Sequence, residues 1–161
     1  MNDILQIVKN LTELSLNKNI VISTAESCTG GLISKFLTDI SGSSQIYDCS
    51  VIAYSNFSKM NILNVPENIL KNDGAVSQNT AISMAKGLLR ISKANVVISV
   101  TGIMGPTTDK TDKEIGGVWF CLSNKIEFKT IYKVFKGDRI QVRNETTKFA
   151  LLELCDFIKE L

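Results

Sequence analysis

The sequence predicts an α/β domain in three layers, with helices on both faces of a mixed, mainly parallel sheet. Three observations predict it. Short apolar runs of strand length alternate with segments whose apolar residues recur at helical spacing. One run, Val96 to Val100, is apolar but for Ser99, as in a strand covered from two sides. Near the C-terminal end two strand-like runs follow each other directly, which calls for an antiparallel β-hairpin.

Each element has its own signal. Ile4, Leu5, Val8, Leu11 and Leu14 give a first helix, and Ile20–Thr24 a first strand. Leu32, Ile33, Phe36 and Leu37 mark a second helix that ends near Ser41-Gly42, where glycine is a natural stop. Tyr47–Tyr54 reads as a strand. A short helix carries Met60, Ile62 and Leu63, and a turn or short helix follows around Pro66–Leu70. Ser77 caps the next helix, with Ile82, Ala85, Leu88 and Leu89 as its buried stripe. After the strand Val96–Val100 comes a polar loop, Thr101–Ile115. Val118–Leu122 and Ile126–Phe135 form the hairpin around Ser123-Asn124. Asp138 caps a last helix whose apolar face includes Phe149, Leu152, Cys155 and Ile158. The order is α-β-α-β-α-α-β-β-β-α, expected as one domain over residues 1–161.

Composition narrows the chemistry. A chain of 161 residues with 44% hydrophobic content can bury a full core. Its net charge of +2 gives no reason to expect nucleic acid as a partner. Histidine is absent, which removes every Ser-His and Cys-His mechanism and the commonest metal ligand. The cysteines, Cys28, Cys49, Cys121 and Cys155, have no paired spacing, so no metal site and no cofactor is expected. No leader or membrane-length apolar run stands out, so a cytoplasmic protein without membrane partners is expected.

The run VISTAESCTGG, Val21 to Gly31, is a strand, a tight polar turn and a helix start. In open α/β sheets ligands lie at the carboxyl ends of such strands, where free N–H groups receive anions. A second segment, Gly42–Lys59, holds Ser43, Ser44, Tyr54, Ser55, Asn56, Ser58 and Lys59. Serine needs a base to become a nucleophile, and without histidine lysine is the candidate. Such a lysine must be neutral, which burial promotes. Glu26 either caps the second helix or pairs with Lys59 and keeps it charged. Tyr54 and Lys59 are five apart, not the four of short-chain dehydrogenases, and Gly30-Gly31 lacks the lysine of a P-loop.

The motifs AESCTGG (Ala25–Gly31), GSS (Gly42–Ser44), AYSNFSK (Ala53–Lys59), GAVS (Gly74–Ser77), TGIMGP (Thr101–Pro106), IGGVWF (Ile115–Phe120) and GDR (Gly137–Arg139) occur in that order. Together they resemble the CinA C-terminal domain family, the PncC-type nicotinamide-nucleotide amidases. The resemblance implies a metal-independent hydrolase that converts nicotinamide mononucleotide to nicotinic acid mononucleotide and ammonia. It also implies a stand-alone domain, a small-molecule nucleotide substrate and a homodimer.

Carried over residue by residue, the resemblance makes Ser44 the nucleophile and Lys59 the base, with Tyr54 and Ser27 orienting the pair or stabilising the oxyanion. Thr29, Gly30, Gly31, Asn56, Thr101, Gly102 and Gly105 are expected pocket walls, and Arg139 or Arg143 holds the phosphate. The chain departs from the family pattern at Cys49-Ser50, at Met104 and in the loop Thr107–Glu114, which bears on substrate fit. A non-catalytic pyridine-nucleotide binding module, or an amidase for another small carboxamide, is the alternative.

Overall fold

The computed structural model describes residues 2–108 and 112–161. Its elements follow the expected order except that the segment after Pro66 is a helix of its own, so three helices rather than two separate the second and third strands: α1 (Asn2–Lys18), β1 (Ile22–Glu26), α2 (Leu32–Thr38), β2 (Tyr47–Ile52), α3 (Asn56–Leu63), α4 (Glu67–Asn72), α5 (Gln78–Ile91), β3 (Val96–Gly102), β4 (Gly117–Ser123), β5 (Phe128–Val134) and α6 (Arg139–Glu160). One turn of 3-10 helix, Ser43–Gln45, precedes β2. Residues 109–111 of the Thr107–Glu114 loop lie outside the described residues.

The strands form one sheet in the order β2-β1-β3-β4-β5. β1 pairs in parallel with β2 and β3, while β3–β4 and β4–β5 are antiparallel. Among the described strands, β4 alone therefore runs against the others. Alternation along the strands sorts the core into two layers. Ile22, Ile98, Val100, Phe120 and Leu122 pack under α1, α2 and α6. Ala25, Val97 and Cys121 pack under α3, α4 and α5. From β1 the chain passes through α2 to β2 on one side, then through α3–α5 to β3 on the other. The carboxyl ends of β1 and β3 thus flank the point where strand order reverses, the place where open α/β sheets form a crevice.

Several expected boundaries shift for physical reasons. The first strand lies two residues later, at Ile22–Glu26, and every residue in it is buried. Its polar side chains are satisfied across the sheet, with Thr24 Oγ1 2.8 Å from Ser50 Oγ and Ser23 Oγ 3.5 Å from Cys49 Sγ. The helix α2 stops at Thr38, and Gly42, at φ +88°, begins the 3-10 turn instead. The strand β2 ends at Ile52, and α3 starts at Asn56 because Ser55 and Ser58 form a reciprocal capping box. On α6, Leu152 is exposed; Leu151 and Leu154 take the buried face with Cys155 and Ile158. Asp138 and Ser77 cap their helices as expected. No helix among the described residues is long and apolar enough to cross a membrane.

Candidate active site

Glu26 organises the first turn. Its carboxylate is fully buried and accepts from Thr24 Oγ1 (3.1 Å), Thr29 Oγ1 (2.7 Å), Gly31 N (2.9 Å), Ile33 N (3.2 Å) and Ser34 N (2.9 Å). The N-cap of α2 is Gly31, which has no side chain to offer. A strand carboxylate therefore takes the orphan amides that a capping residue would normally bind. Gly30 and Gly31 make this geometry available at φ +61° and +93°, backbone that side chains rarely adopt. Glu26 is thus a helix anchor, and its hydrogen bonds go to α2 and the turn rather than to Lys59.

The turn presents Ser27 to Lys59. The Ser27 amide is held by Val100 O at 3.0 Å, tying the turn to β3. Lys59 projects inward from α3 and is 1% exposed. Its Nζ lies 2.8 Å from Ser27 Oγ, 2.9 Å from Ala53 O and 3.2 Å from Tyr54 O. Burial pulls its pKa from 10.5 down to about 8, opposed by the neighbouring Cys28 sulfur. Burial also pushes the Cys28 thiol up to about 12, which keeps it un-ionised and unreactive.

A cleft of about 250 Å³ opens over this pair. Ser27, Cys28 and Lys59 form its floor; Ala75 and Val76 stand on one side; Thr101 to Gly105 and Thr107 come from the end of β3; Tyr54 and Arg139 stand at its rim. Arg139 bridges the rim, donating from Nη1 to Gly105 O at 2.8 Å and from Nη2 to Tyr54 Oη at 3.1 Å. Tyr54 is 62% exposed, and it is the backbone carbonyl of this residue, not the phenol, that holds the lysine.

The expected residues separate into two groups. Ser27, Lys59, Tyr54, Thr101, Gly102, Gly105 and Arg139 meet at the cleft. Ser44 does not. It is exposed on the 3-10 turn before β2, beside the start of β1, where Ile46 O accepts from Ile22 N. At about 3.3 Å per residue, the length of β1 sets Ser44 roughly 15 Å from Lys59, so the expected Ser44–Lys59 pair is not formed. Thr29 is buried against Glu26, and Gly30 and Gly31 build the turn without lining the cleft. Asn56 is exposed at the first position of α3. Arg143 is spent on Thr29 O at 2.8 Å. Sequence reasoning missed Cys28, Ala75, Val76, Ile103 and Thr107 as lining; for Ala75 and Val76 the GAVS motif was the available signal. Met104, where the chain departs from the family pattern, does line the cleft.

Known proteins share this architecture. The nicotinamide-nucleotide amidohydrolase PncC of Enterobacter agglomerans is 41% identical, over 94% of this chain and 98% of that protein. The chain spans 34–37% of the length of three further curated relatives, among them the CinA-like protein of Petrotoga mobilis, 35% identical over 93% of this chain. A crystal structure of a competence-damaged protein (CinA) superfamily protein from Klebsiella pneumoniae matches with a TM-score of 0.96 at 26% identity, covering 98% of this chain and 99% of that one. Residues 4–158 match the CinA C-terminal domain, and the chain belongs to that family.

Proposed function

We propose that the chain is an amidase that hydrolyses the carboxamide of nicotinamide mononucleotide to nicotinic acid mononucleotide and ammonia, with Ser27 as nucleophile and Lys59 as base. One observation carries this reading: the surroundings of a single amine. A neutral lysine has two N–H bonds and one lone pair. Lys59 faces two carbonyls, Ala53 O at 2.9 Å and Tyr54 O at 3.2 Å, and one hydroxyl, Ser27 Oγ at 2.8 Å. The carbonyls take the two N–H bonds, and the lone pair is left for the serine proton. A pKa of about 8 keeps a useful neutral fraction near physiological pH.

The steps follow from that arrangement. Ser27 Oγ attacks the carboxamide carbon as its proton passes to Lys59. The tetrahedral oxyanion is met by the backbone N–H of Cys28, the residue after the nucleophile on a strand-to-helix turn. Collapse expels ammonia, which takes the proton back from Lys59. Water then attacks the acyl-serine, with Lys59 again as base, and releases the carboxylic acid with Ser27 restored. Arg139 at the rim binds the phosphate, because its guanidinium faces the cleft while Arg143 is tied to Thr29. The relative named nicotinamide-nucleotide amidohydrolase supports the choice of substrate. Homodimer assembly and a cytoplasmic location belong to the same proposal, supported by the family resemblance alone.

The test is ammonia release from nicotinamide mononucleotide, with nicotinic acid mononucleotide as the co-product. Wild type releases both and Ser27→Ala releases neither. Thermal stabilisation by the nucleotide without ammonia would make the chain a binding module instead.

A further inference from the structure

We infer that Lys113 is a positioning residue that fixes one wall of the substrate cleft and thereby sets affinity for the nucleotide. The inference deepens the amidase reading and rests on it for the substrate. Residues 73 to 76 connect α4 to α5, and each of their successive carbonyls accepts from a side chain. Asp73 O and Val76 O each accept from Lys113 Nζ at 2.5 Å. Gly74 O accepts from Ser77 Oγ at 3.2 Å and Thr80 Oγ1 at 2.7 Å. Ala75 O accepts from Thr101 Oγ1 at 2.7 Å. Ser77 and Thr80 are local, and Thr101 is the end of β3. Lys113 comes from the β3–β4 loop, whose opening residues Ile103, Met104, Gly105 and Thr107 face the cleft too.

Lys113 therefore adds a second tie, beside the Thr101–Ala75 bond, between the Ala75–Val76 wall and the β3–β4 side of the cleft. Lys113 itself is outside the residues that line the cleft. Gly74 makes room for it, since a Cβ there would stand 2.8 Å from Nζ. Without the lysine, Asp73 O and Val76 O turn to water and the Val76 end of the wall loses its tie, while Ala75 O stays on Thr101. A wall that contacts substrate and transition state alike contributes uniform binding, so its loss raises KM and spares kcat.

Lys113→Met keeps the unbranched stem, one atom shorter, and removes its donors. For nicotinamide mononucleotide, KM rises by about tenfold while kcat stays within about twofold and the acid limb of the pH profile does not move. In the same variant, hydrogen exchange in the peptide spanning residues 73–81 accelerates relative to wild type. A KM equal to wild type overturns the inference. So does a variant that unfolds, or one whose kcat falls in step with the rise in KM, since either makes the role merely structural. If wild type itself releases no ammonia, the amidase reading fails; the exchange comparison needs no activity and then decides the inference alone, with unchanged exchange overturning it.

Discussion

The two ends of the β1–β2 strand pair each carry a turn containing glycine and serine, and they differ in what converges on them. At the amino end, Ser44 sits on an exposed 3-10 turn whose buried anchor is Ile46. At the carboxyl end, Ser27 is 7% exposed, its amide is pinned to β3, and a buried lysine reaches it from α3. Both serines have the same intrinsic chemistry. Only the second has a neighbour whose proton affinity burial has lowered. In a parallel sheet the loops leaving the carboxyl ends of neighbouring strands face one another, which brings β1, β2 and β3 to one point. At the amino end of this pair no such convergence forms around Ser44.

The sharpest way to break this comparison is to remove each hydroxyl in turn. Ser27→Ala lowers kcat/KM for nicotinamide mononucleotide by roughly 10⁴-fold or more, as loss of a covalent nucleophile does. Ser44→Ala stays within about twofold, the usual range for an exposed side chain. The reverse result would move the chemistry to the other end of the sheet.

Next in size is the lysine. Its base form is lost as pH falls, so kcat/KM declines about tenfold per pH unit below about 8. A flat profile between pH 6 and about 8 would remove Lys59 as base. Keeping the amine buried also has a stability cost, about 3 kcal/mol for a pKa drawn from 10.5 to about 8. The sign is fixed by linkage: a lowered lysine pKa destabilises fully below about pH 8, and the cost is relieved as pH rises from there to 10.5. Lys59→Met removes that cost but strands Ala53 O and Tyr54 O. The expected outcome is an inactive protein that melts no lower than wild type at pH 7, read by calorimetry.

Periodicity made the element order legible because the long helices bury one face each while β1 and β3 are short runs buried almost throughout, and Ser77 and Asp138 announced their helices by capping chemistry. Lys59 and Ser27 were legible as candidates. Their pairing was not, because a motif does not say which end of a strand it occupies. The ESC run follows β1 and falls at the carboxyl edge; the GSS run precedes β2 and falls at the amino edge. That polarity needs the parallel pairing of β1 and β2, a long-range fact. For Glu26 the sequence left two roles open, capping the second helix or pairing with Lys59, and only the fold selects the first. A fully buried carboxylate in a strand looks unfavourable until donors up to eight residues later are brought back to it.

Glu26 gives the third prediction, and it reads in stability first. Glu26→Gln keeps the shape but replaces one acceptor oxygen with a donor. Oε1 and Oε2 between them receive three backbone amides, so an NH₂ group meets at least one N–H head-on. A loss of about 3–5 kcal/mol is expected, close to 10 °C in Tm for a chain of this size. Activity falls as well, because Ser27 is the next residue on the same turn. An unchanged Tm would show that the turn holds its shape without the carboxylate.

The smallest effect separates the two arginines, which lie four residues apart on α6 and so share a face. Arg139 ends at the cleft rim on Gly105 O and Tyr54 Oη, with guanidinium donors left over; Arg143 ends on Thr29 O, behind the turn. Arg139→Ala therefore raises KM for the nucleotide by about tenfold, the scale of one charge-assisted contact to phosphate. The same variant has little effect on hydrolysis of nicotinamide riboside, which carries no phosphate to lose. Arg143→Ala acts on the turn, not on the ligand: it lowers Tm slightly and affects nucleotide and riboside alike. If Arg143→Ala discriminated between the two substrates and Arg139→Ala did not, the phosphate would lie on the Thr29 side, and the cleft over Ser27 would have to be entered from the opposite rim.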